Sequence, residues 1–538
     1  MPGPRRFGTT MVWLTARTLR KFWANPGGGG GWGRAPSATR ALSSSSGDGG
    51  GGSPSTSTVV KLAAARLPRG TKLPTQGEGQ PTPETHPHLM SSGELTPGFS
   101  ADEYRRRRRA LADHLPANSV AVLAAAPPAF LPSTIIPYPG YRQEADFAYL
   151  TGVLQPGVVM MLERPPDGKH VYTLFVPPRS ARDEIWNGQR IGTDAAIRFF
   201  GADATHELSD MDDVIARAAR RASAVFADEG RQGGALSTAA FKATGKLHGC
   251  GPPRTLRPII QALRWQKSPA EIQALRESVD ADIQGFHSAI QASVPGALEY
   301  MVCANHEHRC KAAGASRLAY PSVVGSGPGA LVVHYAAMDR VLEPGELLLM
   351  DAGCERRGYA SDVTRTWPVG PGGFTQAQAD VYEAVLEAHA KCLNAVALGV
   401  SVHDLHMLSV KVLSESLANL GVRGGKSQCM RYYPHSVGHW LGMDTHDTPT
   451  VPTTTPIQPG CVLTIEPGLY LPSDDPAVPK SLRGIGVRIE DDVAMMPETG
   501  EVEVLSRGLP TSVVGIESLV QELQAGNRHI SRENRTVK

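Results

Sequence analysis

Leu347-Leu-Leu-Met-Asp351-Ala-Gly353 is an apolar run that ends in a carboxylate. Asp362 follows eleven residues later, inside the strand-forming stretch Tyr359-Ala-Ser-Asp362-Val-Thr-Arg-Thr-Trp-Pro368. Three later blocks share this character: His435-Ser-Val-Gly-His439-Trp-Leu-Gly-Met-Asp-Thr-His446-Asp447, Leu463-Thr-Ile-Glu466-Pro-Gly468 and Gly486-Val-Arg488-Ile-Glu490-Asp491. An unpaired carboxylate among strand residues is costly to bury. Divalent cations remove that cost, and four carboxylates with one imidazole suit hard or borderline ions. Two ions roughly 3.5–4 Å apart need bridging ligands, and carboxylates can bridge. Taken singly, a strand-end Asp reads as a turn or cap residue, and a His beside Trp440 as a satisfied core histidine. Five such blocks in one chain point to a metal constellation.

Around these blocks the pattern is α+β. Ser268, Pro269 and Glu271 spell a helix start with a capping box. Ile272, Leu275, Val279, Ile283, Phe286 and Ile290 then hold one helical face until Pro295-Gly296. A second helix is expected after Thr375, with Gln378 as its box partner, running towards Val400. Leu347–Met350, Ala360–Thr366, Cys461–Ile465 and Gly486–Ile489 read as strands, so helices should cover one side of a curved antiparallel or mixed sheet. Upstream, Val120–Ala124, Val158–Leu162 and Val171–Val176 read as strands of a separate α/β domain.

The chain has 538 residues, enough for two to four domains at roughly 100–200 residues each. Its 54 basic and 52 acidic residues nearly cancel, which argues against a nucleic-acid binder. Arg105–Arg109 falls on an expected helix from Asp102 to His114 and reads as a solvated face with acidic partners elsewhere. Seven Cys without a Cys-x-x-Cys pair exclude a disulfide scaffold and read as reduced thiols. Met1–Gly47 holds seven Arg or Lys and no Asp or Glu. Arg5, Arg6, Arg17, Arg20 and Lys21 alternate with Met11, Trp13, Leu14 and Phe22, as in a basic amphipathic transit peptide for an organelle. The alternative is an ordinary basic tail. No apolar run there is long enough to span a bilayer, so stable membrane insertion is not expected. The expected layout is a transit peptide over 1–47 and a disordered linker over 48–98. An N-terminal α/β domain follows over 99–250, then a catalytic domain over 262–510 and a tail over 511–538.

From about Phe99 to about Leu509 the sequence resembles the aminopeptidase P and prolidase group of pita-bread metallopeptidases, on all five blocks at once. The resemblance implies a pita-bread catalytic domain preceded by a smaller α/β creatinase-like domain. It implies Asp351, Asp362, His439, Glu466 and Glu490 as ligands of two divalent ions, usually Mn²⁺, with Asp362 and Glu490 bridging. It implies His334 as a substrate-pocket residue and His435 and His446 as contacts to the substrate backbone and the developing oxyanion. Arg488 would steady the bridging region, and Glu466 would also shuttle a proton to the leaving nitrogen. Tyr359 and Asp447 are outer candidates. Where the family often carries Asn after His-Tyr, this chain has Ala336-Ala-Met-Asp339-Arg340.

The implied reaction is hydrolysis of an N-terminal peptide bond. Arg142-Gln-Glu-Ala-Asp-Phe147 resembles the mitochondrial aminopeptidase P branch, which includes the intermediate-cleaving peptidase. Removal of one bulky residue from imported proteins is therefore expected in a mitochondrion, with a plastid as the other address. Strict X-Pro or prolidase-like cleavage is the competing specificity. A non-catalytic peptide-binding scaffold is the competing class, and the complete ligand set argues against it. Peptide or protein N-termini are the expected partners. The resemblance implies a homodimer or homotetramer.

Overall fold

The computed structural model describes residues 78–132, 136, 140–228, 235–245 and 252–525. The segment expected to be a transit peptide and most of the expected linker lie outside the described residues, as does Cys250. The last part of that linker stretch is ordered structure. Glu94–Thr96 pairs antiparallel with Phe99–Ser100. Gln80 Nε2 donates to Gly152 O at 3.0 Å, and Leu154 N donates to Gln80 Oε1 at 2.9 Å. Leu95 and Phe99, both buried, supply the apolar anchorage that the Pro- and Thr-rich composition concealed.

Helix α1 (Ala101–His114) opens the N-terminal half, capped by Ser100 accepting from Glu103 N. The run of five arginines splits between surface and interior, which corrects the expectation of a solvated face. Arg105, Arg106 and Arg109 are exposed, but Arg107 and Arg108 are buried. Helical spacing sets them beside Tyr104 and Leu111 on the inward face. Arg107 lies 4.3 Å from the Tyr149 ring centroid and 3.4 Å from Glu271. Arg108 lies 4.0 Å from the Tyr172 ring centroid and donates to Leu150 O at 2.9 Å. The guanidinium groups are buried with aromatic faces and hydrogen-bond partners, which offsets their desolvation.

The domain's sheet contains β1 (Ser119–Ala124), β2 (Val159–Arg164), β3 (Val171–Val176), β4 (Ala204–Glu207) and β5 (Ala224–Ala227), in the order β4-β3-β2-β1-β5. The inner pairs are antiparallel and the two outer pairs parallel. Both faces are covered. Val120, Val122, Val159 and Met161 pack on the helix Met211–Arg221, while Ala121, Met160, Leu162 and Leu174 pack on α1 and on α2 (Ala145–Thr151). Period-two alternation sends successive residues to opposite layers.

Helix α3 (Arg257–Trp265) bridges to the second half. Helix α4 (Pro269–Ala292) begins with the capping box of Ser268 and Glu271, and α6 (Gln376–Ala395) with that of Thr375 and Gln378. Helix α6 stops at Ala395 rather than near Val400. Among the helices the sequence reading did not single out are α5 (Glu299–Ala312), which has no side-chain cap, and α7 (Val402–Asn419), whose box closes with Asp404 instead of Glu or Gln. A third, α8 (Val513–Ala525), occupies part of the expected tail. Its Ile516 and Val520 are buried against Trp367 and Tyr382, so the apolar face binds it to the domain core.

The second half has short, strongly linked strands. Strand β7 (Leu347–Ala352) pairs antiparallel with β6 (Val323–Ser326) on one side and β9 (Val363–Pro368) on the other. Strand β8 (Cys354–Arg356) follows. Strand β10 (Val462–Ile465) pairs with β13 (Asp491–Met495), and β11 (Gly468–Tyr470) with β12 (Gly486–Arg488). Phe286, Val385, Leu413 and Leu417 from the helices pack on Leu348, Met350, Val487 and Ile489 from the strands. The polar residues of these strands face the opposite side.

Candidate metal centre

Register brings the five blocks together. Asp351 pairs with Thr364, and Thr364 forms a bridge with Glu490. Asp362 directly precedes β9, and its backbone N–H donates to Asp492 Oδ2 at 3.0 Å. Glu466 directly follows β10. His439 is drawn onto the same strand by Thr464 N donating to His439 O at 3.0 Å. A Cβ on Gly438 would stand 1.9 Å from Thr464 O, so glycine alone permits this approach.

The donor atoms of Asp362, His439 and Glu490 lie within 4.8 Å of one another. His439 Nε2 is 3.3 Å from Asp362 Oδ2 and 3.6 Å from Glu466 Oε1. Arg488 Nη2 donates to Asp351 Oδ2 at 2.5 Å, and Arg488 Nε to Thr364 Oγ1 at 3.0 Å. Thr364 Oγ1 donates to Glu490 Oε2 at 2.7 Å. The structure thus brings Asp351, Asp362, His439, Glu466, Glu490 and Arg488 into one cluster.

Its electrostatics show a deficit of positive charge. Four carboxylates crowd the cluster, and Arg488 donates to one of them, Asp351, and lies within electrostatic reach of Glu466 and Glu490. Burial raises the Asp351 carboxyl, with Arg488 opposing and Asp362 adding to the rise. Burial and then Asp362 hold Glu490 well above the usual range. Burial pushes Glu466 up to about 7, with His439 opposing. Burial alone would lower His439, but the hydrogen bond and charge of Asp362 outweigh it and carry the ring up to about 9. Protons thus collect where cations are missing. Divalent ions would discharge the same crowding, so the donor set fits a metal centre.

A cavity of about 960 Å³ opens over the cluster, with His334, His435 and His446 in its wall. His435 Nδ1 donates to Ser436 O at 2.8 Å, which leaves Nε2 to accept from Tyr470 OH at 2.9 Å. Arg488 Nη1 in turn donates to Tyr470 OH at 2.7 Å. Burial, and then Arg488, lower His435 to about 4. His446 packs edge-on to His439, with ring centroids 4.4 Å apart. Burial and then His439 lower it too.

Two outer candidates sit elsewhere. Tyr359 OH donates to Glu271 Oε1 at 2.6 Å and stacks on Phe99, so it belongs to the junction between the halves. Asp447 binds Arg264 and, at 3.1 Å, Lys267 Nζ. It braces the loop carrying His446 without entering the cluster.

Two residues escaped the sequence reading. Tyr320 OH is 2.6 Å from Asp351 Oδ1 and 2.5 Å from Asp362 Oδ1, joining two blocks from outside both. Its context, Ala319-Tyr-Pro321, carries no ligand-like signal. Tyr470 could have been suspected from its place four residues after Glu466. Arg142 reaches the cavity from the N-terminal half, held by Glu355 at 2.6 Å and Asp444 at 2.9 Å.

The chain is similar to known proteins over both halves. Metallopeptidase family M24 matches residues 273–497, and the aminopeptidase P N-terminal domain matches residues 104–226. The mitochondrial intermediate cleaving peptidase 55 of Arabidopsis thaliana is 38% identical over 443 residues, covering 82% of this chain and 87% of the relative. Human Xaa-Pro aminopeptidase 3 is 36% identical over 476 residues, covering 84% and 92%. The solved structure of zinc-substituted Escherichia coli aminopeptidase P in complex with product superposes with a TM-score of 0.73 at 32% identity, over 79% of this chain and 99% of that one. The two halves are therefore an aminopeptidase P N-terminal domain and a pita-bread domain. With the carboxylate-rich centre at the meeting point of its strands, the chain belongs to metallopeptidase family M24 and is a metal-dependent aminopeptidase, removing the N-terminal residue of peptides.

Proposed function

We propose that this enzyme uses two divalent ions, with Mn²⁺ the expected metal, to remove a single bulky residue such as Tyr, Leu or Phe from imported proteins in a mitochondrion. Asp351, Asp362, His439, Glu466 and Glu490 would hold the ions, with Asp362 and Glu490 shared. The observation that carries the metal assignment is the convergence of these five side chains with so little fixed positive charge. The single-residue specificity and the address rest on the likeness to the mitochondrial intermediate cleaving peptidase and on the acid-free leader. Strict X-Pro cleavage is the second reading, supported by the likeness to Xaa-Pro aminopeptidase 3.

When bound, such ions make a nucleophilic hydroxide available at neutral pH and polarise the scissile carbonyl. The chain's own residues do the rest. Glu466, 3.6 Å from His439 at the floor of the cavity, is suited to carry a proton to the leaving nitrogen. His446 faces the cavity with its ring nitrogens uncommitted and is the better placed donor to a developing oxyanion. His435 spends both nitrogens on Ser436 and Tyr470, so it positions Tyr470 and Arg488 rather than donating directly. His334 walls the substrate side. Arg142 and the N-terminal domain narrow the mouth, which favours a short free N-terminus over the middle of a chain. A second copy of this chain is the proposed partner in solution. The exposed Ile185 and Trp186 on the N-terminal half supply an apolar surface for that contact.

The deciding experiment incubates the Mn²⁺-loaded enzyme with two peptide sets and weighs the products. One set has Pro second, and the other begins with Tyr, Leu or Phe and lacks Pro. Loss of one residue from the second set is expected. Cleavage confined to the first set would replace the proposed role with X-Pro aminopeptidase activity.

A further inference from the structure

A second group of metal-type donors lies beneath the first, sharing no residue with it. Asp282 stands on α4, His306 and Cys310 on α5, and Cys354 on β8. All four are fully buried. His306 and Cys310 are four residues apart on one helix, so both project from the same face. Donor atoms of Asp282, Cys310 and Cys354 lie within 4.8 Å of one another. His306 Nε2 lies 3.5 Å from Cys310 Sγ and 2.6 Å from Asp282 Oδ1. In a tetrahedral zinc site, ligand atoms at about 2.0–2.3 Å from the ion stand about 3.3–3.8 Å apart. The His306–Cys310 contact has that spacing. The 2.6 Å Asp282–His306 contact must open, and His306, outside the tighter group of three, must swing towards Cys354 for all four to share one ion.

Two observations argue that the group is more than packed core. Asp282 Oδ2 is buried without a hydrogen-bond partner among the described residues. Burial pushes the Asp282 carboxyl up, with His306 opposing. In addition, a Cβ at Gly285 of α4 would stand 2.6 Å from both Cys310 Sγ and His306 Cδ2. A helix-interior glycine is destabilising by roughly 1 kcal/mol against alanine. Here it makes the room that lets α5 bring its imidazole and thiol up to Asp282.

We propose that Asp282, His306, Cys310 and Cys354 form a closed structural site for one zinc-class cation, distinct from the catalytic pair. Two thiolates, one imidazole and one carboxylate are a borderline-soft donor set, whereas the catalytic centre offers oxygen and nitrogen alone. Closure by four protein ligands leaves no position for water or substrate, so the role is structural. The cation ties α4, α5 and β8 together directly behind the strand that carries Asp351.

The full-length chain with Asp362→Ala and Glu490→Ala, which disable the catalytic centre, is loaded with Zn²⁺, dialysed against EDTA and assayed by elemental analysis. About one zinc per chain is expected to remain, falling to near zero when Cys310→Ser and Cys354→Ser are added. Wild-type chain given Co²⁺ is expected to show the near-ultraviolet thiolate-to-cobalt charge-transfer band, a readout independent of whether the cysteine variants fold. Absence of both retained zinc and that band would overturn the proposal. So would unchanged zinc in the cysteine variants, or an intact mass two hydrogens lighter, which would mean a Cys310–Cys354 disulfide instead.

Discussion

Two regions of this enzyme bury several carboxylates, and they treat the charge in opposite ways. At the junction of the two halves, Asp146, Asp444 and Asp447 meet Arg264, Lys267 and Arg142. Arg264 alone reaches Asp146, Asp447 and, at 3.0 Å, Asp444. At the candidate metal centre, Asp351, Asp362, Glu466 and Glu490 crowd around Arg488 and His439. The chemical consequence differs accordingly. Asp444 is held below the ordinary range because Arg264 and Arg142 outweigh its burial, and Arg264 opposes the rise that burial imposes on Asp146, whereas Glu490 is held far above the range with further carboxylates adding to its burial. A balanced buried network is structural cement, costly to break on one side. An unbalanced one is an energetic cost that a bound cation can relieve, and that imbalance marks the functional site more sharply than the number of acidic residues.

Removing Asp362 tests the comparison most severely. Asp362→Ala should lower kcat/KM by at least about 10³-fold and strip metal from the folded chain. Elemental analysis showing full occupancy in that variant would end its assignment as a shared ligand. The junction should fail differently. Arg264→Met leaves Asp146 and Asp447 buried without their partner, and should cost about 3–5 kcal/mol of stability in denaturant unfolding. Metal content per folded chain should stay unchanged, and a loss of metal without loss of stability would erase the distinction between the two regions.

Tyr320→Phe probes the link between Asp351 and Asp362 at lower cost. It should reduce metal affinity or activity about 10–100-fold, by analogy with other groups that orient ligands. An effect on kcat/KM that excess Mn²⁺ abolishes would locate the defect in metal retention.

The smallest effect concerns pH. In the metal-free chain, Glu466 rises from the ordinary 4.5 to about 7, and His439 from 6.5 to about 9. Both folded values are raised, so each group's stabilising contribution is complete below its ordinary value and is lost as pH climbs through the raised one. The melting temperature of EDTA-treated enzyme should therefore drift downward relative to the metal-loaded enzyme, through Glu466 between pH 4.5 and about 7 and through His439 between pH 6.5 and about 9. Parallel curves with and without EDTA would show that these two groups do not carry the metal linkage.

Local signals were faithful where chemistry and period coincide. The boxes at Ser268 and Thr375 mark real helix starts, and Asp351, Asp362, Glu466 and Glu490 stand out because carboxylates interrupt apolar strands. Signals failed where the deciding partner is distant. The arginine run looked uniform until Tyr149, Tyr172 and Glu271 arrived from other elements to bury Arg107 and Arg108. Helix α8 looked like a tail because its apolar face is meaningful only against Trp367 and Tyr382. Tyr320 carries no local mark at all, since its importance lies in a hydroxyl placed between two carboxylates 31 and 42 residues away.

The amino-acid sequence by itself determined the chemical inventory: five separated blocks of metal-type donors, the helix caps around them, and a basic stretch over 1–47 without Asp or Glu. Those are properties of neighbouring residues, and neighbours are written in order. Tertiary structure alone decided which charges have partners. It left four carboxylates short of positive charge at the candidate metal centre and gave those at the junction arginine and lysine partners. It also set a carboxylate with one unpartnered oxygen, among the described residues, beside two thiols behind β7. The physical reason is that Coulomb and desolvation energies depend on distances through space, and only the folded chain fixes those distances.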